Sequence, residues 1–185
     1  MNHLATSKED ILAASRDLIK ENGWAAVSIR AVASRCSVSA GTIYNYYESK
    51  ADLLSDTIES IWHEIFFHPE AEQVFHDVES CISWIYERLE YGNSQFPGFF
   101  SLHSFGFMRD EKTSGKKKMM QTWGHILNGL CEVLENDPKV RLDVFDKEFT
   151  EKKFADILFS LILVSMIRQD YDSSSVLMLV KKTLY

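Results

Sequence analysis

Residues 28–54 read Ser28-Ile-Arg-Ala-Val-Ala-Ser-Arg-Cys-Ser-Val-Ser-Ala-Gly-Thr-Ile-Tyr-Asn-Tyr-Tyr-Glu-Ser-Lys-Ala-Asp-Leu-Leu54. Three serines in this stretch, Ser28, Ser39 and Ser49, stand where helices want an N-cap, because a serine hydroxyl accepts from a free N–H of the first turn. After Ser28, the residues Ile29, Val32 and Ala33 share one face of a short helix that runs to about Cys36. Ser37-Val38 makes a turn. Ser39 opens a third helix over residues 39–47 with Ile43 facing inward. Ser49-x-x-Asp52 has the form of a capping box and opens a long fourth helix with Leu54, Ile58, Ile61 and Ile65 on one stripe. Helices this short do not stand alone in water, so they must pack together. Two of them within 20 residues, joined by a tight turn, have the form of a helix-turn-helix.

Upstream, Thr6-x-x-Glu9 and Ser7-x-x-Asp10 both offer a capping box for a first helix. Its apolar stripe is Ile11, Ala14 and Leu18, widened by Leu12 and Ile19, and Asn22-Gly23 ends it. In a helix-turn-helix the second helix enters the major groove, N-terminal residues nearest the bases. Here Ala40 and Gly41 are small enough to let the backbone approach DNA. Ser39, Thr42, Tyr44 and Tyr46 carry hydroxyls for phosphates or base edges. Arg30 stands in the first turn of the preceding helix, within reach of a phosphate or a guanine edge. Lys50 stands at the start of the fourth helix, beside free N–H groups.

These residues resemble the signature of the tetracycline-repressor (TetR) family. The similar elements are the Ser/Thr-x-Arg opening, the Gly-Thr-x-Tyr-x-Tyr core and the Ser-Lys-x-x-Leu-Leu exit, within residues 7–54. The resemblance implies DNA-contacting roles for Ser28, Arg30, Ser39, Ala40, Gly41, Thr42, Tyr44, Tyr46 and Lys50. It also implies a homodimeric repressor that binds a palindromic operator through residues 39–47 and is released by a small apolar or aromatic effector. Two positions depart from the family pattern. Ser37 stands where Gly is usual before the turn valine, and Tyr47 stands where Phe is frequent.

The rest of the chain fits an all-α protein. With 185 residues it has room for a small N-terminal domain, 1–48, and a larger helical effector-binding and dimerisation domain, 49–185. It has only 3 prolines and no alternating strand pattern. The expected later helices span about Pro69 to Tyr91, Phe99 to Met108, Lys116 to Glu135 and Phe149 to Gln169, with a short one closing the chain. A breaker at 92–98 and a polar loop at 110–115 separate the first three. Aromatic Trp84, Tyr86, Phe99, Phe100, Phe105, Met108 and Trp123 are the candidate effector pocket. Residues 157–167 are apolar nearly all round, so this helix is covered on more than one side. Leu158, Leu161, Ile162 and Ser165 on it, with Met120, Trp123, Leu127, Leu130 and Leu134 on the 116–135 helix, are the candidate dimer interface. Plain core is the competing reading for every apolar residue in both sets.

Charge neither favours nor forbids DNA. The whole chain carries 20 basic and 27 acidic residues, a net charge of -7. Residues 1–50 hold 6 bases and 5 acids, or +1, which leaves 14 bases, 22 acids and −8 for the remainder. Cys36, Cys81 and Cys131 have no metal-ligand spacing and fit a reducing cytoplasm. His63, His68, His76, His103 and His125 form no complete metal set. No signal peptide is visible, and no apolar run reaches the roughly 18 residues of a membrane span. No phosphate loop, nucleophile elbow or zinc motif marks an enzyme, and no cofactor is expected. Two other classes stay open: an all-α carrier or enzyme with a structural N-terminal module, and a regulator answering to a protein partner.

Overall fold

A computed structural model describes residues 6–66, 75–100 and 114–185, with the backbone alone at 114–119 and 122. Every regular element among them is helical. Helix α1 spans Lys8–Asn22. Ser7 is its cap: the Ser7 hydroxyl accepts from the Asp10 N–H at 3.1 Å, and the Asp10 carboxylate accepts from the Ser7 N–H at 2.8 Å. Gly23, at φ 75°, ends α1 and leads into a 3₁₀ turn at Trp24–Ala26. Helices α2 (Ile29–Arg35), α3 (Ala40–Tyr44) and α4 (Lys50–Phe66) follow their serines. Ile11, Ile19, Val32, Ile43 and Leu53 are buried together and bind the four helices into one head. Helix α3 stops at Tyr44, short of the expected 47, and Tyr47 turns inward to 3% exposure.

Helix α5 spans Val78–Gln95. The sequence places its start near Pro69, which lies outside the described residues, but residues 75–77 are not helical. Asp77 is the cap instead, accepting from the Ser80 N–H at 2.8 Å. The helix also runs through the expected breaker at Gly92. That glycine is there for space: a Cβ would stand 2.6 Å from Ile65 Cδ1 and 3.0 Å from Phe100 Cζ. Residues 99–100 are helical, and the rest of the expected 99–108 helix lies outside the described residues. Helix α6 (Ser114–Asn136) takes in Ser114 and Gly115, the end of the expected polar loop. Helices α7 (Glu151–Arg168) and α8 (Ser174–Leu184) complete the chain.

Helix α4 is the spine. It packs on α1 in the head and on α5 and α6 in the larger part, while α6 packs on α7 and α5 on α8. Arg88 of α5 donates from Nη2 to the Glu64 carbonyl at 3.2 Å, and from Nε to the Ile65 carbonyl. These bonds satisfy carbonyls that the last turn of α4 leaves open. An aromatic cluster ties head to body: Trp24 stacks on Phe99 at 5.7 Å, and Trp62 meets Phe99 at 5.3 Å and Phe100 at 5.5 Å. At the far end, buried Asp137 accepts from the N–H of Val78 and of Lys139, each at 2.9 Å, and from the Tyr185 hydroxyl. One carboxylate thus fastens the start of α5, the end of α6 and the end of the chain. No helix among the described residues is long and apolar enough to cross a membrane.

Candidate nucleic-acid interface and effector groove

The exposed side of the head is built around α3. Ser28 Oγ accepts from the Ala31 N–H at 3.1 Å, and Ser39 Oγ from the Thr42 N–H at 3.2 Å. Ser39 Oγ and Thr42 Oγ1 also share a hydrogen bond at 3.0 Å. These hydroxyls hold the two short helices in place before they can touch anything else. Gly41 is exposed, and a Cβ there would meet only Ser39 Oγ, at 3.5 Å. Ala40 is half-buried beside it. Tyr44 is 56% exposed and its ring projects freely. Tyr46 is also exposed, but its hydroxyl donates to the Thr6 carbonyl at 2.6 Å. That tyrosine therefore pins the start of α1 to the end of the motif, and its proton is not free for a phosphate. Asn45, exposed next to Tyr44, escaped the sequence reading. The signal was its position four residues after Gly41, one turn on at the C-terminal end of α3.

The cations of the head divide into two sets. Lys8 pairs with Asp56 at 2.6 Å, Arg16 with Glu9 at 2.9 Å and Glu64 at 3.1 Å, and Lys20 with Glu64 at 2.7 Å. Arg35 pairs with Glu21, and with Asp17 at 3.8 Å. Arg30 and Lys50 are exposed and have no acidic partner among the described residues. They flank α3, one in the first turn of α2 and one at the start of α4. The turn between α2 and α3 keeps its shape without glycine: Ser37 adopts the left-handed conformation at φ 56°.

The larger part has a groove of about 500 Å³ between α5 and α6. Phe66, Phe75, Cys81, Trp84, Ile85, Ile126, Leu130 and Val133 give it apolar walls, and His125, Gly129, Glu132 and Asn136 complete it. Burial pushes the Cys81 thiol up to about 12, so the wall there is uncharged. Of the expected pocket residues, Trp84 lines this groove. Phe99 and Phe100 do not, because both are buried in the cluster with Trp24 and Trp62. Tyr86 bonds Ser165 Oγ at 2.9 Å, and Trp123 packs edge-on against Phe159 at 5.9 Å. Phe105 and Met108 lie outside the described residues. The groove escaped the sequence reading because its walls come from segments about 40 residues apart.

The expected dimer residues need correction too. Leu130, Leu134, Leu158 and Ile162 are at most 2% exposed within the single chain, and Ser165 faces Tyr86. They are core, because α6 and α7 pack on each other through those faces. Trp123, Leu127 and Leu161 are half-buried, and Met120 is exposed. Besides Met120, large apolar residues open to solvent on the last two helices are Ile157, Val164 and Ile167 on α7, and Met178 and Leu179 on α8. Among the described residues no group of three or more His, Cys, Asp or Glu is placed to hold a metal ion. His68 and His103 lie outside them.

Residues 11–57 match the model of the bacterial regulatory proteins of the tetR family. Those residues, about a quarter of the chain, are similar to the DNA-binding part of that family, whose members are transcriptional regulators. The HTH-type transcriptional regulator UidR of Escherichia coli K12 is 38% identical over 48 residues, which are 26% of this chain and 24% of UidR. The likeness therefore spans about a quarter of that curated relative. The whole architecture is similar to solved tetR-type structures. FadR from Bacillus subtilis, solved with stearoyl-CoA, superposes with a TM-score of 0.67 at 18% identity, over 97% of this chain and 100% of that one. BioQ, solved with its double-stranded DNA operator, gives 0.61 at 14% identity, over 96% and 97%. At such identities the likeness is one of fold.

Proposed function

We propose that this chain is a tetR-type homodimeric repressor that binds a palindromic operator in the cytoplasm and leaves it when a small apolar effector enters the α5–α6 groove. The observation that carries the DNA-binding part is the division of the head's cations. Four are spent on acids within the chain, and the two left over, Arg30 and Lys50, bracket the exposed face of α3. A helix without Lys or Arg needs such flanking cations to hold phosphates while Tyr44, Asn45 and the small residues Ala40 and Gly41 approach the bases. The head, 1–48, is the DNA-binding unit, and 49–185 is the effector and dimer unit.

Two heads are required because one carries only two free cations. The apolar residues exposed on α7 and α8 supply the contact. Ile157, Val164 and Ile167 recur at helical spacing on one face, and Met178 and Leu179 are exposed on the next helix. A second copy covering this face would form a four-helix bundle and set two α3 helices about one DNA turn, roughly 34 Å, apart. Phe66 at the end of α4 lines the groove and connects through Trp62 and Phe99 to Trp24 of the head, so a ligand that spreads α5 from α6 would alter the spacing of the heads.

Binding to an operator fragment, measured against salt concentration, tests the first part. Arg30→Ala and Lys50→Ala each remove one phosphate contact per subunit. Each should lower the salt slope of binding by about 2 per dimer, while the fold is unchanged. Binding with an unaltered slope in both variants would exclude the proposed cation roles.

A further inference from the structure

The polar groups of the α5–α6 groove are mostly acceptors. Glu132 lines the groove, is exposed, and its carboxylate has no hydrogen-bond or ion-pair partner among the described residues. Asn136 donates from Nδ2 to the Glu132 carbonyl at 2.7 Å, which leaves its Oδ1 as a second acceptor and one amide N–H as a donor. His125 offers one donor and one acceptor. No Lys or Arg lines the groove among the described residues. Opposite stands an aromatic wall on which Trp84 meets Phe75 at 5.2 Å and Phe66 at 5.9 Å. Indole is the best aromatic partner for a cation. The acid excess of residues 51–185, 22 acids against 14 bases, adds a field of the same sign. An anion in the groove would meet Glu132 with no Lys or Arg among the described lining residues to offset it, and a neutral ligand would leave that carboxylate unused.

We infer that the groove takes a lipophilic monocation, an apolar or aromatic body with one ammonium group, seated on Trp84 and paired with Glu132. This deepens the proposed effector role and rests on the groove being the effector site. The geometry of α6 supports it. Gly129 stands one turn before Glu132 and Val133, and a Cβ there would meet nothing within 4 Å. The missing side chain leaves room for a bulky body beside the carboxylate.

Three isosteric probes separate charge from shape: 4-phenylbutylammonium, 4-phenylbutanol and 4-phenylbutyrate. Calorimetric titration of the full chain measures each against the unaltered protein and against Glu132→Gln, Trp84→Ala and Gly129→Met. The ammonium should bind at least about tenfold tighter than the alcohol, and the carboxylate weakest. Glu132→Gln should remove the ammonium's advantage while the alcohol binds as before, a change that loss of structure cannot produce. Trp84→Ala and Gly129→Met should weaken all three. Equal affinity for the three probes, weakened together by Gly129→Met, would overturn the charge preference and leave the groove as the effector site. Probes that all bind but ignore Trp84→Ala and Gly129→Met, or no binding at all, would overturn both.

Discussion

Single residues show where this fold is under strain and where it leans on charge. Ser37 holds a left-handed backbone that costs an L-residue roughly 1–2 kcal/mol, of which glycine's extra freedom in the unfolded chain returns part. Ser37→Gly should therefore raise stability by about 0.5–1 kcal/mol, read as a shift of the denaturant midpoint without a change of slope. An unchanged midpoint would mean that the turn tolerates serine without strain. Asp77 caps α5 and pairs with Lys139 at 2.7 Å. The Lys139 ammonium, then the Ser80 bonds, hold its carboxyl well below the usual carboxylate range. A carboxyl depressed in the folded state adds stability that is complete above its unfolded value, near 4, and fades as the pH drops toward the folded value. Asparagine keeps the cap without the charge. Asp77→Asn should lose less stability than the parent between about pH 5 and 3, and the two acid-denaturation curves should converge at the low end. Parallel curves over that range would remove Asp77 from the account of acid lability.

At the scale of elements, the short helices of the head were readable because each announces itself with a serine and one buried face. Ser28, Ser39 and Ser49 all accept the backbone bonds expected of them. Longer helices were read less well, for reasons of packing. Gly92 looks like a breaker in one dimension and is a close contact with Ile65 in three. Pro69 suits a first helical turn by its missing N–H, yet Asp77 is the cap of α5 because its carboxylate accepts from the Ser80 N–H. The periodicity of 157–167 shows a helix apolar all round but does not say which side meets its own chain, so Leu158 and Ile162 were assigned outward. Leu158→Ala, in the core, should cost about 2–5 kcal/mol. Val164→Asp, on the exposed face, should keep the monomer folded and shift the mass measured by light scattering from dimer to monomer. A dimer that survives Val164→Asp would move the interface off this face of α7.

The whole molecule combines a first 50 residues that barely favour DNA by charge with a remainder that opposes it, at +1 and −8. Such a chain is legible as a DNA reader only through its motif. Its cations become informative once the structure shows which of them are already paired. Under the proposed function, affinity comes from doubling: two copies, each with Arg30 and Lys50 free, joined through apolar residues exposed on α7 and α8. The measurement that tests this most directly is selection of bound duplexes from a random pool by the full chain. The expected product is an inverted repeat whose half-site centres lie about 10 base pairs, or a multiple of that, apart, with enrichment lost in the Arg30→Ala, Lys50→Ala double variant. Recovery of unrelated sequences, or of the same sequences by the double variant, would contradict it.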